Sequence, residues 1–448
     1  MPHRLSASSL DSWGEPADLF RLVEAGSDEV FWLDAGADAR DGWSFVGVGA
    51  PEALPADVPI DGRAADERDP AEPPFRGGWV GWRDYETGAH AAGAPTGGRP
   101  AGGREGAQSW MRVTRVAAFD HGRRRVWALA DADGLDAWAA VVAGASGSAS
   151  DAASVVPVEA LPGPVDVGAR HTPTEYAALI ERCRDLIRAG VAYQLCLTTR
   201  FTVDGVHDPV AVYRRLRAAT PAHHGGFIRI GGRSLLSASP EQFLHAEAGV
   251  VRSRPIKGTR PRGADAVSDA ALAAELAASP KERAENVMIV DLMRNDLSRV
   301  CEPGSIRVDG LWAVESYPAV HQLVSTVSGR SAPGTTVGDL LDATFPAGSM
   351  TGAPKLSAMT HLHALEGGPR GIYAGCFGYV GVDGAVDLAM VIRSIVIDHG
   401  RAVVGAGGGI TWGSDAPSEV AEVATKARAP LAALGAVLPA PWGSDILN

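Results

Sequence analysis

Residues Ile372–Thr411 read IYAGCFGYVGVDGAVDLAMVIRSIVIDHGRAVVGAGGGIT. Aliphatic and aromatic residues come in short runs, broken by Asp383-Gly384 and His399-Gly400, dipeptides suited to tight hairpin turns. The stretch predicts a meander of three or four antiparallel strands. After it, a helix is expected from about Ala416 to Leu434. Before it, Thr172-Pro173-Thr174-Glu175 is a capping box with proline at the first helical position. Tyr176, Leu179, Ile180, Cys183, Leu186 and Ile187 then recur at helical spacing up to Gly190. AYQLCLTTRFTV, FIRI and SLLSAS follow as strands, then FLHAEAGVVRSRPI with a turn at AEAG, and Ser279-Pro280 opens a helix through Leu297. Earlier, FWLDAG, WSFVGVG, FRGGWVGW, VTRVAAF and RRVWALA alternate with Gly/Pro/Asp turns. Strands in consecutive antiparallel groups between helices make this an α+β chain, not a doubly wound one. The Gly/Ala-rich stretch 87–108 reads as a mobile loop, and 141–170 as a linker or a weakly ordered crossover.

The 448 residues carry 53 acidic against 41 basic side chains, a net charge of −12. That balance disfavours nucleic acid as a partner, since phosphate affinity needs a broad basic surface. The sequence has no apolar run long enough to span a membrane and no apolar leader after MPHRLSASSLDSWGEP, so a cytoplasmic protein is expected. Cys183, Cys196, Cys301 and Cys376 are scattered, without metal or disulfide spacing.

Against this acidic background, Arg252–Gly263 reads RSRPIKGTRPRG, with five cations in twelve residues and Lys257 in the middle. Such a cluster suits a small anionic ligand. Arg254, Arg260 and Arg262 are expected to favour the uncharged form of Lys257, as burial would. Glu282 and Glu285 lie three apart on one predicted helix, Glu419 and Glu422 three apart on another. Residues so spaced share a helix face, and two such faces offer four hard oxygen donors of the kind Mg²⁺ takes. FPAGSMTGAPK (345–355) and GAGGGIT (405–411) can present backbone N–H groups to an anion, and Arg393 can grip a carboxylate with two parallel bonds. Cys376, within AGCFGY, reads as a buried strand residue more than a nucleophile.

SASPEQF, RPIKGTRPRG, ERAENVMIVDLMRNDLSRVCEPGS, FPAGSMTGAPK, GIYAGCFGYVGVDGAVDLAMVIRS, GAGGGIT and SEVAEVATKA occur in this order. Together they resemble the chorismate-utilising enzymes: anthranilate synthase component I, aminodeoxychorismate synthase component I, and the isochorismate and salicylate synthases. The likeness is dense over residues 171–435 and thinner over 1–140, through FWLDAG, WSFVG and PFRGGWVGWRDYE. It implies one structural unit of two packed antiparallel sheets flanked by helices, in α/β/β/α layers. It also implies Mg²⁺ on Glu285 and Glu422, with Glu282 and Glu419 holding its waters. Chorismate carboxylates would meet Tyr373, Arg393, Gly408, Gly409 and Lys426, with Thr351 lining the pocket. Glu241 would be an acid and Lys257 a nucleophile.

The resemblance extends to the branch. PIKGT, with lysine at 257, resembles the aminodeoxychorismate enzymes; anthranilate synthases read PIAGT. Gln194 stands where the isochorismate and salicylate synthases carry a water-activating lysine. His321 is followed by Gln322, where anthranilate synthases place a histidine. TPAHHGG replaces the segment that helps form the tryptophan pocket of feedback-inhibited members, so weak or absent tryptophan regulation is expected. No cysteine lies in a Gly-x-Cys-x-Gly turn, and the length leaves no room for a further domain. A free-standing component paired with a separate glutamine amidotransferase, the source of ammonia, is therefore expected.

Overall fold

The computed structural model describes residues 4–60, 71–96, 109–147, 165–220, 222–318 and 320–443. Its strands pair antiparallel throughout and form one connected network, which folds into two facing sheets. In the first, the spatial order is Ser6–Leu10, Arg125–Ala130, Trp110–Asp120, Trp43–Pro51, Val30–Asp34, His224–Ile230, Arg233–Ser239, Ser394–Asp398, Arg401–Ile410 and Gln194–Asp204. Short strands Val167–Ala169 and Gly352–Ala353 line the far edge of Gln194–Asp204. The second sheet runs Gly78–Arg83, Cys376–Gly381, Val386–Met390, Gln242–Glu247, Val250–Ser253, Val320–Arg330 and Arg307–Ser316. Ile256–Pro261 continues the line of Val250–Ser253 along Val320–Arg330. The sheets join where Gly78–Arg83 meets Trp110–Asp120.

Side-chain alternation builds the layers, because successive residues of a strand face opposite sides. Val30 and Trp32 enter a core shared with the helices Pro16–Glu24, Pro173–Arg188, Pro209–Ala219 and Ala416–Ala433. Phe31 and Leu33 enter a core between the sheets, with Phe377, Tyr379 and Ala389 from the other side. Val386, Leu388 and Met390 face a third core against the helices Pro280–Ser298 and Val337–Thr344. Three cores separate four layers, helix, sheet, sheet and helix, as the resemblance implies. The capping box forms as expected, with Glu175 N–H donating to the Thr172 hydroxyl and Glu175 accepting from Thr172 N–H. N-terminal strands are wired directly into the later part of the chain, Val30–Asp34 against His224–Ile230 and Gly78–Arg83 against Cys376–Gly381.

The opening stretch differs from a simple meander. It forms two hairpins, one per sheet, and the chain crosses between the sheets at Val391–Arg393. Arg393 stands at this crossing with φ +52°, not within a strand. The second hairpin turns through His399 and Gly400, both at positive φ, the conformation a two-residue type I′ loop demands. Tyr85–Ala91 and Leu135–Gly147 are helices where the sequence suggested loop and linker. Within the expected linker Val167–Ala169 is also a short strand, while 97–108 and 148–164 lie outside the described residues. Among the described residues no helix is long and apolar enough to cross a membrane, and all four cysteines are free and buried.

Candidate active site

Two helices carry the four glutamates within electrostatic reach of one another. Ser279 caps Pro280–Ser298 by accepting from Glu282 N–H, and Asp415 caps Ala416–Ala433 by accepting from Ser418 N–H. The first helix buries only one face, Asn286, Ile289, Val290, Met293, Asp296 and Leu297, while Val287 is exposed, so it is less enclosed than its apolar run suggests. Burial holds Glu285 above the ordinary carboxylate range, and Glu282 and Glu419 add to it; Lys257 and Lys281 pull the other way. Glu419, buried and accepting from Ser414 Oγ at 2.8 Å, is also raised by burial and by Glu422. Burial opposes ionisation of Glu422 too, but Lys426, its ion-pair partner, together with Lys257 and Lys281 outweighs it and the net shift is downward. Among the described residues no three acidic, histidine or cysteine side chains close into a ready-made cation cage. The arrangement still fits Mg²⁺, which keeps waters and takes part of its shell from a ligand. Glu285 and Glu422 would hold it, with Glu282 and Glu419 behind.

Lys257 stands on a bulge. The strand Ile256–Pro261 pairs Ile256 with Val324 and Thr259 with Gln322, so one extra residue is pushed out between them. Bulges of this kind re-aim side chains. Gly258 supplies the φ of +86°, and a Cβ there would lie 2.9 Å from the Glu282 carboxyl. Lys257 makes no hydrogen bond or ion pair with the described residues. The arginines around it are spent elsewhere: Arg254 on Glu315, Arg260 on Glu275 and Glu282, Arg262 on Asp269. None of the three guanidiniums is therefore the free cation that the sequence had suggested. The groups that feel Lys257 are Glu241, Glu285, Glu422 and Cys196.

Opposite Lys257 runs the glycine strand Arg401–Ile410. A Cβ on Gly409 would sit 2.5 Å from Gln194 Nε2 and 3.2 Å from Lys257 Nζ, so amide and amine look onto the same point. Gln194 is wholly buried and neither of its side-chain polar atoms has a partner. An orphaned buried amide costs about 1–3 kcal/mol, which a bound polar group would relieve. Lys426 Nζ donates to Gly407 O at 2.8 Å, on the edge away from Gln194–Asp204. By the two-residue period the N–H of Gly409 shares that edge. Gly408 instead leaves room, since a Cβ there would lie 2.9 Å from Glu419 Oε2.

Glu241, buried beside the bulge, has its carboxyl pushed up to about 7 by burial, against the pull of Lys257, Ser349, Lys426 and the Ile256 backbone. Burial pushes the Arg393 guanidinium below its ordinary value, with Tyr373 and Glu422 opposing. Arg393 makes no side-chain hydrogen bond or ion pair with the described residues, so it remains available to a carboxylate. Tyr373 is buried beside it. Thr351, fully buried, bonds Ala347 O, and its carbonyl accepts from Cys196 N–H next to Gln194. The loop around it keeps the Met350 and Thr351 N–H groups for Ala347 and Gly348, and Lys355 binds Asp296 and Thr344. That segment is a brace, then, not a phosphate cradle. The candidate acid, amine, carboxylates, arginine and tyrosine lie within one another's electrostatic reach, Glu241, Glu285 and Glu422 each feeling Lys257, and Arg393 feeling Tyr373 and Glu422.

The sequence profile of the chorismate binding enzyme family matches residues 20–432. The chain belongs to that family. It is 44% identical over 371 residues to the aminodeoxychorismate synthase of Streptomyces pristinaespiralis, covering 80% of this chain and 51% of that protein. It is 40% identical over 386 residues to anthranilate synthase component 1 of Streptomyces coelicolor, covering 82% and 74%. The anthranilate synthase component I structure from Streptococcus pneumoniae superposes with a TM-score of 0.68 at 28% identity, over 96% of this chain and 93% of that one. The isochorismate synthase MenF of Escherichia coli shares the fold, with a TM-score of 0.66 at 17% identity over 97% and 96%. The chain spans about half the length of the aminodeoxychorismate synthases it matches.

Two features of this family member escaped the sequence reading. Arg370 is buried, paired with Glu366, and donates to Met350 O and Cys196 O, while Glu366 accepts from Thr198 N–H. This pair ties the Thr351 loop to the Gln194 strand behind the site. Its only sequence signal is an i,i+4 Glu/Arg spacing, common on surfaces. Second, a cavity of about 610 Å³ is walled by Trp43, His223, His224, Arg254, Tyr317 and Asp387, with Ile256 but not Lys257 in its lining. The TPAHHGG segment thus does contribute to a pocket, with His223 packed on Tyr317.

Proposed function

We propose that the chain is an aminodeoxychorismate synthase component I, forming 4-amino-4-deoxychorismate, a precursor of 4-aminobenzoate and folate, from chorismate and ammonia. The observation that carries this reading is Lys257, an unpaired amine on a bulge, facing Gln194 across Gly409 within the field of the buried Glu241. Arg393, Tyr373, Lys426 and the Gly409 N–H hold the carboxylates of chorismate. Glu285 and Glu422 would hold Mg²⁺, whose charge would neutralise the ring carboxylate. Lys257 Nζ adds to C2, the ring double bonds shift, and the C4 oxygen leaves as water with the proton of Glu241. The added amine passes a proton to the Glu241 carboxylate; ammonia then attacks C4, the double bonds shift back, and the C2–N bond to Lys257 breaks, with one proton of the new ammonium passing to the departing amine. Glu241 suits its part because burial keeps it protonated close to neutral pH. The enolpyruvyl ether is untouched, which separates this reaction from anthranilate formation.

Ammonia comes, in this reading, from the glutamine amidotransferase that such an enzyme pairs with. The second reading, anthranilate synthase component I, is favoured by the Streptomyces coelicolor relative and opposed by Lys257 and Gln322. Pyruvate release, coupled to lactate dehydrogenase, separates the two. Chorismate consumption with ammonium and Mg²⁺ but without pyruvate supports the first, and stoichiometric pyruvate supports the second.

A further inference from the structure

Between Ile256 and Thr259 the lysine strand leaves its ladder, so Lys257 and Gly258 have no paired residue opposite. The direction of the amine is then set by what holds the two flanks. The near flank is anchored at Pro255, whose carbonyl accepts from Ser325 N–H and Asn286 Nδ2. The far flank ends in a knot around one carboxylate. Asp269, in the first turn of the helix Ala266–Ala278, accepts from Arg262 Nε at 2.8 Å and Nη2 at 2.6 Å, from Gly263 N–H at 2.8 Å, and contacts His321 Nε2 at 2.9 Å. His321 is buried, and its other nitrogen meets Ser316 Oγ at 2.8 Å. The same helix holds Arg260 through Glu275 and touches Gly258 with Leu276. Helix, bulged strand, the strand Val320–Arg330 beside it and the strand Arg307–Ser316 beyond that therefore share one set of fixings.

We propose that Asp269 is a positioning residue for Lys257: through Arg262, Gly263 and His321 it pins the far end of the bulge and so aims the amine. His321 serves as a strut between Asp269 and Ser316. An exposed Arg–Asp pair alone contributes little. Here the carboxylate also takes a backbone N–H and a buried imidazole, and these fix direction. Displacement of a reacting group by about 1 Å costs on the order of 100-fold in rate, so a modest loosening is readable. The proposal rests on Lys257 being the reacting amine.

The chain has four lysines, Lys257, Lys281, Lys355 and Lys426, so acetylation by acetic anhydride can be followed site by site by peptide mass spectrometry. This readout needs no turnover and stands even if the reaction assignment fails. In Asp269→Asn, Lys257 is expected to label at least threefold faster relative to the exposed Lys281. With chorismate and ammonium, kcat is expected to fall about tenfold while KM stays within twofold, since Arg393 and the glutamates are untouched. Arg262→Lys, which keeps the charge but loses the two-pronged grip, should give a smaller change of the same sign. It carries the test should Asp269→Asn not fold. An unchanged Lys257-to-Lys281 labelling ratio in a folded variant overturns the proposal, whether or not activity falls.

Discussion

Glu241→Gln offers a test that does not depend on the reaction. The carboxyl is 7% exposed, and its folded-state pKa of about 7 stands against an ordinary value of 4.5. Below pH 4.5 it is protonated whether the chain is folded or unfolded, and its contribution is fully present. As pH rises towards 7 the unfolded chain releases this proton while the folded one keeps it, so stability is lost across that window. The difference is worth about 3 kcal/mol when the group is ionised in both states. Glutamine has the same shape and no proton to lose. Urea unfolding at pH 5 and pH 8, read by tryptophan fluorescence, is therefore expected to show the variant gaining relative to the parent by about 2–3 kcal/mol between the two pH values. Asp296, Glu285 and Glu419 are also raised by burial, but they occur in both proteins and cancel in the comparison. A parent–variant difference that does not change with pH would refute the idea that burial controls this carboxyl. The activity should in turn fall by roughly 100-fold or more, as expected for loss of a general acid.

Lys257→Arg keeps a cation on the bulge but removes the nucleophile; kcat for chorismate amination is expected to drop at least 100-fold, whereas near-parent turnover would make the residue an electrostatic anchor. Calorimetric titration of MgCl₂ should show saturable binding that weakens at least tenfold in Glu285→Gln and less in Glu282→Gln; equal affinities would remove these residues from the metal site. Tryptophan, titrated calorimetrically, is expected to give no micromolar binding in the cavity walled by His223 and His224, and a micromolar isotherm would contradict the reading of the TPAHHGG segment.

Much of this was legible in the sequence because the signals are local. The capping box at Thr172, the hairpin dipeptides at Gly384 and Gly400, and the alternating strands all depend on neighbours within a few residues. The paired glutamates could be placed on helix faces by spacing alone, and motif order tied them to a family. What stayed hidden was non-local. Nothing in VIRSIVI says that the chain changes sheet at Arg393, because the hydrophobic run continues on both sides of the crossing. The bulge at Lys257 follows from register against a strand more than sixty residues later. RSRPIKGTRPRG looked like a concentration of free positive charge, but Glu315, Glu275, Glu282 and Asp269 lie far enough along the chain that their pairing could not be read. The helix Ala266–Ala278 lacks a clear apolar stripe, so its role as a brace emerged only with the pairs it makes.

The most direct test of the account is identification of the product. Chorismate, MgCl₂ and ammonium, incubated with the purified protein at mildly alkaline pH and analysed by liquid chromatography with mass detection, should yield a species that retains the enolpyruvyl group. An aminodeoxychorismate lyase should convert that species to 4-aminobenzoate. Anthranilate appearing without the lyase would contradict the account and place the protein among the anthranilate synthases.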